Sequence, residues 1–304
     1  MENVLFQMAA LILCGVAWRV VRPLDLDADS ARRTLTGLVY VLLLPALVIR
    51  VLWQAPLGIE AVQIAIIAAA TVVVGLLLSW SICRLCSTPK PVAGALLLAA
   101  AFPNATYMGL PVLTETLGEW ASRIAIQYDL FACTPLLLTV GILIARRHGE
   151  NTSNESMLRT LLTVPPLWAA AAAVTLNLGS VPFPAWLEHL LNTMGMAVIP
   201  LMLIALGMGL RWDTWRPAML PKLIPILLIQ LLIQPLLALW LADLQGLQGE
   251  VKMAIVLEAA MPSMVLGIVL ADRYKLDTGL YAAAVTLSTA VSLVTLPLWF
   301  SWLA

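Results

Sequence analysis

Two dipeptides, Pro103-Asn104 and Pro262-Ser263, interrupt long apolar stretches of this 304-residue chain and are the residues best placed to do chemistry. Proline in a helix interior removes one backbone hydrogen bond and clashes with the preceding turn, so each stretch is expected to break into two half-helices. Broken backbone deep in a membrane leaves unpaired N–H and C=O groups, tolerable only inside protein or beside a water-filled cavity. Asn104 and Ser263 follow the breaks, and both residue types are strong helix N-caps. Two half-helix N-termini with positive dipole character would then converge near the membrane midplane, a site suited to a carboxylate. Thr106, at the start of the first half-helix, either contacts that anion or merely caps the helix. The competing reading is that both prolines only kink lipid-embedded helices. Their pairing, and the motif Pro-Asn-x-x-x-Met-Gly-x-Pro around Pro103, favours breaks.

Ionisable residues inside a span cost about 2.5–3.5 kcal/mol on insertion scales, so each needs a role. Glu258 lies one helical turn before Pro262. It either binds a proton or Na⁺ and couples uphill transport, or is a satisfied acid capping backbone groups at the break. Asp129 is the second candidate for ion or proton coupling, expected near the outer interface where hydration removes the puzzle. Gln230 and Gln234 are one turn apart and favour interhelical hydrogen bonds over a pathway lining. Ser288, Thr289 and Ser292 could complete a pocket, but hydroxyls in membrane helices usually bond their own backbone.

The elements that position these residues follow from composition. Of the residues, 62% are apolar and 11% charged, with a mean hydropathy of +0.96, whereas a soluble domain carries about 25% charged residues. Apolar runs near bilayer-spanning length fall at residues 3–20, 34–53, 59–81, 92–117, 121–145, 160–178, 187–209, 221–242, 251–272 and 279–303. All Lys and Arg residues except Arg50, Arg123 and Lys252 fall on alternate connections, which places both termini away from the cytoplasm. The tryptophans near span ends, Trp18, Trp53, Trp80, Trp120 and Trp212, read as interfacial anchors. The first apolar segment lacks a basic n-region and reads as a retained span.

A polar stretch at residues 148–158 divides the chain into a first five-helix half, 1–147, and a second, 159–304. With an odd number of spans, a duplicated half must insert upside down. The expected fold is therefore an all-α membrane protein with about ten transmembrane helices in two inverted five-helix repeats. Residues 95–104, ALLLAAAFPN, align without a gap to residues 254–263, AIVLEAAMPS, and Pro45 and Pro200 fall mid-span in the second helix of each half.

Several classes are disfavoured. The formal net charge of zero argues against a nucleic-acid partner. No HExxH, GxSxG or Walker A loop is present, so no enzyme is expected, and His148 and His189 read as solvated surface. Cys14, Cys83, Cys86 and Cys133 give neither a disulfide framework nor a zinc site, and no cofactor beyond a coupling H⁺ or Na⁺ is implied. The sequons at Asn104, Asn151 and Asn154 are chance matches.

Residues 102–113, FPNATYMGLPVL, closely resemble the signature of the auxin efflux carrier family, and AAMPSMVLGIVLADRY at residues 259–274 resembles its ninth-span counterpart. The resemblance implies a bacterial inner-membrane permease with a scaffold domain, a transport domain and broken helices crossed at spans four and nine. It implies secondary active transport of small organic anions such as malate, malonate or auxin-like carboxylates, with Asn104 the foremost candidate for substrate contact. Homodimerisation is plausible from the family, although no glycine pair at GxxxG spacing supports it. A carboxylate sensor, or a channel without coupled transport, is the alternative.

Overall fold

A computed structural model describes residues 2–149, 162–211 and 219–304. Most of the expected linker, from residue 150 on, lies outside the described residues, as do Arg159, Trp212, Arg216 and the sequons at Asn151 and Asn154. The described chain is helical: α1 Glu2–Val21, α2 Ala28–Gln54, α3 Ile59–Leu85, α4 Lys90–Ala101, α5 Leu110–Leu117, α6 Glu119–His148, α7 Pro165–Leu178, α8 Ala185–Gly209, α9 Leu220–Leu244, α10 Gly249–Ala259, α11 Gly267–Arg273 and α12 Thr278–Leu303. There is no strand among the described residues, only an isolated antiparallel bridge between Pro103 and Ser263. Six helices, α2, α3, α6, α8, α9 and α12, are long and apolar enough to cross a membrane. The apolar stretches expected at 92–117 and 251–272 are not among them, because each is divided, into α4 and α5 and into α10 and α11.

Local sequence explains the helix ends and irregularities. The Asp27 carboxylate accepts from Ser30 N at 3.1 Å to open α2, and Asp277 accepts from Leu280 N at 2.9 Å to open α12. Pro45, Pro111, Pro135 and Pro235 each follow a π-helical turn, at Val39–Leu43, Ala105–Gly109, Asp129–Cys133 and Ile229–Ile233. In all four places the residue before the proline donates to the carbonyl five residues back. Widening the turn relieves the ring's clash with the preceding turn, so the expected mid-span disturbance at Pro45 takes the form of an extra residue per turn.

Two packed groups result. In one, α1 lies along α8, and α2 packs on α7 and α8. A Cβ added to Gly15 would stand 2.0 Å from Ile204 O, and one added to Gly207 would stand 1.9 Å from Ile12 O, so the two backbones touch. Asn177 of α7 donates to the carbonyls of Leu52, Trp53 and Ala55, satisfying the C-terminal end of α2. Trp53 is buried, not an exposed anchor: its ring stacks on Phe183 at 4.3 Å and its indole N–H donates to Val181 O at 3.0 Å. In the other group, α3, α6, α9 and α12 enclose α4 and α10, which are buried on nearly every face in their last turns. Large apolar side chains such as Ile59, Leu77, Leu232, Trp240 and Leu298 cover the outside, while polar groups such as Asn104, Gln127, Asp129 and Glu258 are interior. That inversion of the soluble pattern suits a lipid surround.

The glycine contact gives a paired test. Gly207→Ala should lower the melting temperature in detergent, by about 2–4 °C for each kcal/mol of overpacking. Gly37→Ala, in α2 where a Cβ meets nothing within 4 Å, should leave it unchanged or raise it, since alanine is the better helix former.

Candidate functional site

The two interruptions meet. After α4 ends at Ala101, Phe102 is extended, and Asn104 N donates to Pro262 O at 2.8 Å while Met264 N donates to Phe102 O at 2.9 Å. Pro103 and Ser263 thus face each other across two backbone bonds, in the pattern of a minimal antiparallel ladder. The remaining loosened groups find side chains. Gln234 Nε2 donates to Ala100 O and Ala101 O at 3.0 and 3.1 Å, and Gln230 Nε2 donates to Met261 O at 3.0 Å. Ser263 Oγ donates to Ala99 O at 2.7 Å, Ser263 N donates to Ser288 Oγ at 3.1 Å, and Tyr281 OH donates to Met264 O at 2.8 Å. A Cβ on Gly75 would lie 2.5 Å from Gln234 Nε2, so that glycine clears the amide's path. Gln230 and Gln234 therefore do make interhelical bonds, to the ends of two different helices.

Asn104 departs from the expected side-chain cap. Its backbone carbonyl accepts from Met108 N at 3.1 Å and Gly109 N at 3.0 Å, but Oδ1 and Nδ2 are buried with no partner. The amide lines a small cavity with Tyr40, Thr106, Tyr107, Asp129 and Thr134. Ser263 is not an N-cap either. Helix α11 begins at Gly267 with Leu266 before it, and the Ser263 hydroxyl is already engaged by Ala99 O. The reason is the four non-helical residues after Pro262, 263–266, which leave Ser263 in the crossing and bring Met264 and Leu266 to the cavity.

Asp129 is not at a hydrated interface. It is 4% exposed, in the π-turn ahead of Pro135, and accepts from Thr134 Oγ1 at 2.9 Å and from Thr106 Oγ1. Position along a span gives depth but not facing, and this carboxylate faces inward. Thr106 thus serves the acid and not the helix end. Glu258, fully buried in the last turn of α10, makes no hydrogen bond through either carboxylate oxygen, which sets aside the satisfied-cap reading. It packs on the bare Gly109 Cα, where an added Cβ would lie 2.3 Å from Oε2. Asp129 is the charged group acting on Glu258, so two acids share this interior.

Ser288 donates to Val285 O at 3.2 Å and Ser292 to Thr289 O at 2.7 Å; neither lines the cavity. Sequence reasoning missed Tyr40, Tyr107 and Thr134; the signal was a polar side chain close to a span proline or inside the Pro-Asn motif. It also missed Gly109, whose role shows only when α10 is laid beside it. No cluster of three His, Cys, Asp or Glu side chains suited to a metal occurs among the described residues. The site cavity holds about 20 Å³, room for about one water. A far larger concavity, about 550 Å³ between α9 and α12, is lined by leucines with Trp299 and Trp302 and has almost no polar group to do chemistry. Of the candidate residues, Asn104, Thr106 and Asp129 converge on the small cavity, while Ser263 and Glu258 do not line it. One wall is Tyr40 and Leu44 of α2 with Val164 and Pro166 at the start of α7, and the other is Asn104, Tyr107, Asp129 and Met264. It therefore lies on the seam between the two packed groups.

The chain is similar to proteins described as transporters. An uncharacterized transporter of Methanothermobacter thermautotrophicus is 30% identical over 300 residues, covering 98% of this chain and 96% of its own. The uncharacterized transporter MJ1031 of Methanocaldococcus jannaschii is 26% identical over 68% of this chain and 67% of its own. The uncharacterized transporter YfdV of Escherichia coli is 24% identical over 66% of this chain and 65% of its own. Residues 7–300 match the membrane transport protein family, and the chain belongs to that family, the one whose auxin efflux carrier signature its Pro-Asn segment resembles.

Proposed function

We propose that the protein is a secondary carrier of small organic anions, malate, malonate or auxin-like carboxylates, working by alternating access. The observation that carries this reading is Asn104: a buried amide with both polar atoms unpartnered, at a backbone break, facing a cavity on the seam between two helix groups. An amide and the adjacent helical N–H groups suit a carboxylate. Room for one water is too small for malonate, so admission requires the seam to open, and opening a seam costs less than reshaping a packed core. In this proposal α1, α2, α7 and α8 are the scaffold and the remaining helices move against it.

The carrier has ten spans in two inverted halves, residues 1–147 and 159–304 joined by 148–158, with crossed broken spans four and nine. The halves are not functionally equal: the first supplies Asn104 and Thr106, the second Ser263 as a structural contact of the crossing. Both termini face away from the cytoplasm of a bacterial inner membrane, on the loop-charge bias. Glu258, with Asp129 beside it, takes a proton or Na⁺ and couples the cycle; an interior carboxylate without a protein partner supports that role.

Uptake of radiolabelled malate, malonate and indole-3-acetate into proteoliposomes, with and without imposed proton or Na⁺ gradients, tests the reading. Saturable uptake with counterflow is expected; binding without flux would point to a sensor, and non-saturating flux to a channel. Asn104→Ala should weaken apparent affinity about tenfold or more, as for a lost hydrogen bond to a charged group. Its melting temperature should not fall, because no protein partner is lost. Glu258→Gln should abolish stimulation by the coupling gradient while counterflow persists.

A further inference from the structure

A second cavity, about 100 Å³, adjoins the site, and Tyr107 and Leu266 line both. Its polar wall is Arg32, Arg33 and Thr36 of α2. The charges acting on Arg32 are one acid, Asp29, and two further cations, Arg19 and Arg211. Both oxygens of that acid are taken: Oδ1 pairs with Arg19, and Oδ2 with Arg211 at 2.9 Å. Asp27 caps α2 by accepting from Ser30 N, and Asp25 before it is exposed. Arg32 Nε is buried and donates to nothing. Its stem rests against Gly209, where an added Cβ would lie 3.4 Å from Cδ, so the side chain is held along α8 and not swept into solvent. Arg33 beside it is exposed, with Nη2 on Ser30 Oγ at 3.2 Å. The cavity wall therefore carries two arginines, one of them with a buried, unused donor, and it shares Tyr107 and Leu266 with the cavity that Asn104 lines.

We propose that Arg32 is the anion-receiving residue of this face: it takes the substrate carboxylate in the outer cavity before the anion passes Tyr107 to Asn104. A guanidinium suits this task because its planar fork matches a carboxylate and stays charged at any working pH. The inference rests on the carrier reading, and it adds a specificity filter. A neutral isostere of the substrate fails on this face before it reaches the inner amide.

The test measures uptake of labelled malonate, malate and indole-3-acetate in membrane vesicles of both orientations, for wild type, Arg32→Ala, Arg32→Gln and Arg32→Lys. Arg32→Ala and Arg32→Gln should raise KM about tenfold or more from the Arg32 face, with kcat and the opposite-face KM little changed. Arg32→Lys, which keeps the charge, should recover much of the loss. Wild-type KM on the Arg32 face should rise with ionic strength, and that dependence should vanish in Arg32→Ala. A KM on that face unaltered by Arg32→Ala, or raised equally on both faces, overturns the inference while leaving the carrier standing. No saturable wild-type uptake of any of the three anions overturns the carrier reading and this inference with it.

Discussion

The structure depends on satisfying backbone that two prolines have released where water cannot reach it. A buried polar group left unpaired costs about 1–3 kcal/mol, and in an apolar surround the toll per group is higher still. Two separate breaks would leave two sets of such groups. Laying one break across the other lets Phe102 and Asn104 pair with Met264 and Pro262; Pro103, which has no N–H, sits between those bonds opposite Ser263, and Pro262 contributes only its carbonyl. What the crossing cannot settle by itself falls to Gln230 and Gln234, whose placement one turn apart on a π-turn of α9 lets one helix serve the ends of both α4 and α10. The glycine at 75 and the glycine at 109 are consequences of the same constraint: bulk at either would push away the amide or the acid the crossing gathers.

This explains which parts were legible in the sequence. Pro103 and Pro262 announce themselves because proline's effect on a helix is local and chemical, and their matched surroundings in the two halves mark them as a pair. The interhelical use of Gln230 and Gln234 was legible for the same kind of reason, since an amide inside an apolar span must find a partner. Facing is another matter. Asp129 read as interfacial because position along a span gives depth only, and its inward turn comes from the π-turn before Pro135 and from Thr106 of another segment. Ser263 read as an N-cap because it follows a proline as Asn104 does, yet α11 resumes four residues later and its hydroxyl is drawn to Ala99. The π-turns themselves were hidden, although four of them lie ahead of a proline, since a sequence marks where a helix is disturbed and not whether it kinks, breaks or widens.

The unequal ends of the two breaks matter more than their symmetry. Both halves contribute a proline and a polar follower, but only Asn104 is left with a free side chain. The second half spends Ser263, Ser288 and Tyr281 on holding the crossing and presents apolar Met264 and Leu266 to the cavity. A site built this way has one polar jaw and one greasy one. In the proposed carrier this places a carboxylate at Asn104 and a carbon skeleton against Leu44, Met264 and Leu266.

A folded chain keeps few buried polar groups without partners, yet Asn104, Gln127 and Glu258 all lie in this one region, on the helix group that encloses the crossing. Replacing any of them by an apolar residue of similar shape would cost folding little and could raise stability. Their presence is therefore poorly explained by the fold alone. The other helix group shows the opposite design: Asn177 satisfies three carbonyls at once, and Gly15 and Gly207 let α1 and α8 touch backbone to backbone. Buried donors and acceptors without a partner occur there too, at Trp18, Arg32 and Asn192, but the amide and the acid nearest the crossing, Asn104 and Glu258, belong to the group that encloses it. In the proposed carrier an anion and a coupling ion would complete that network.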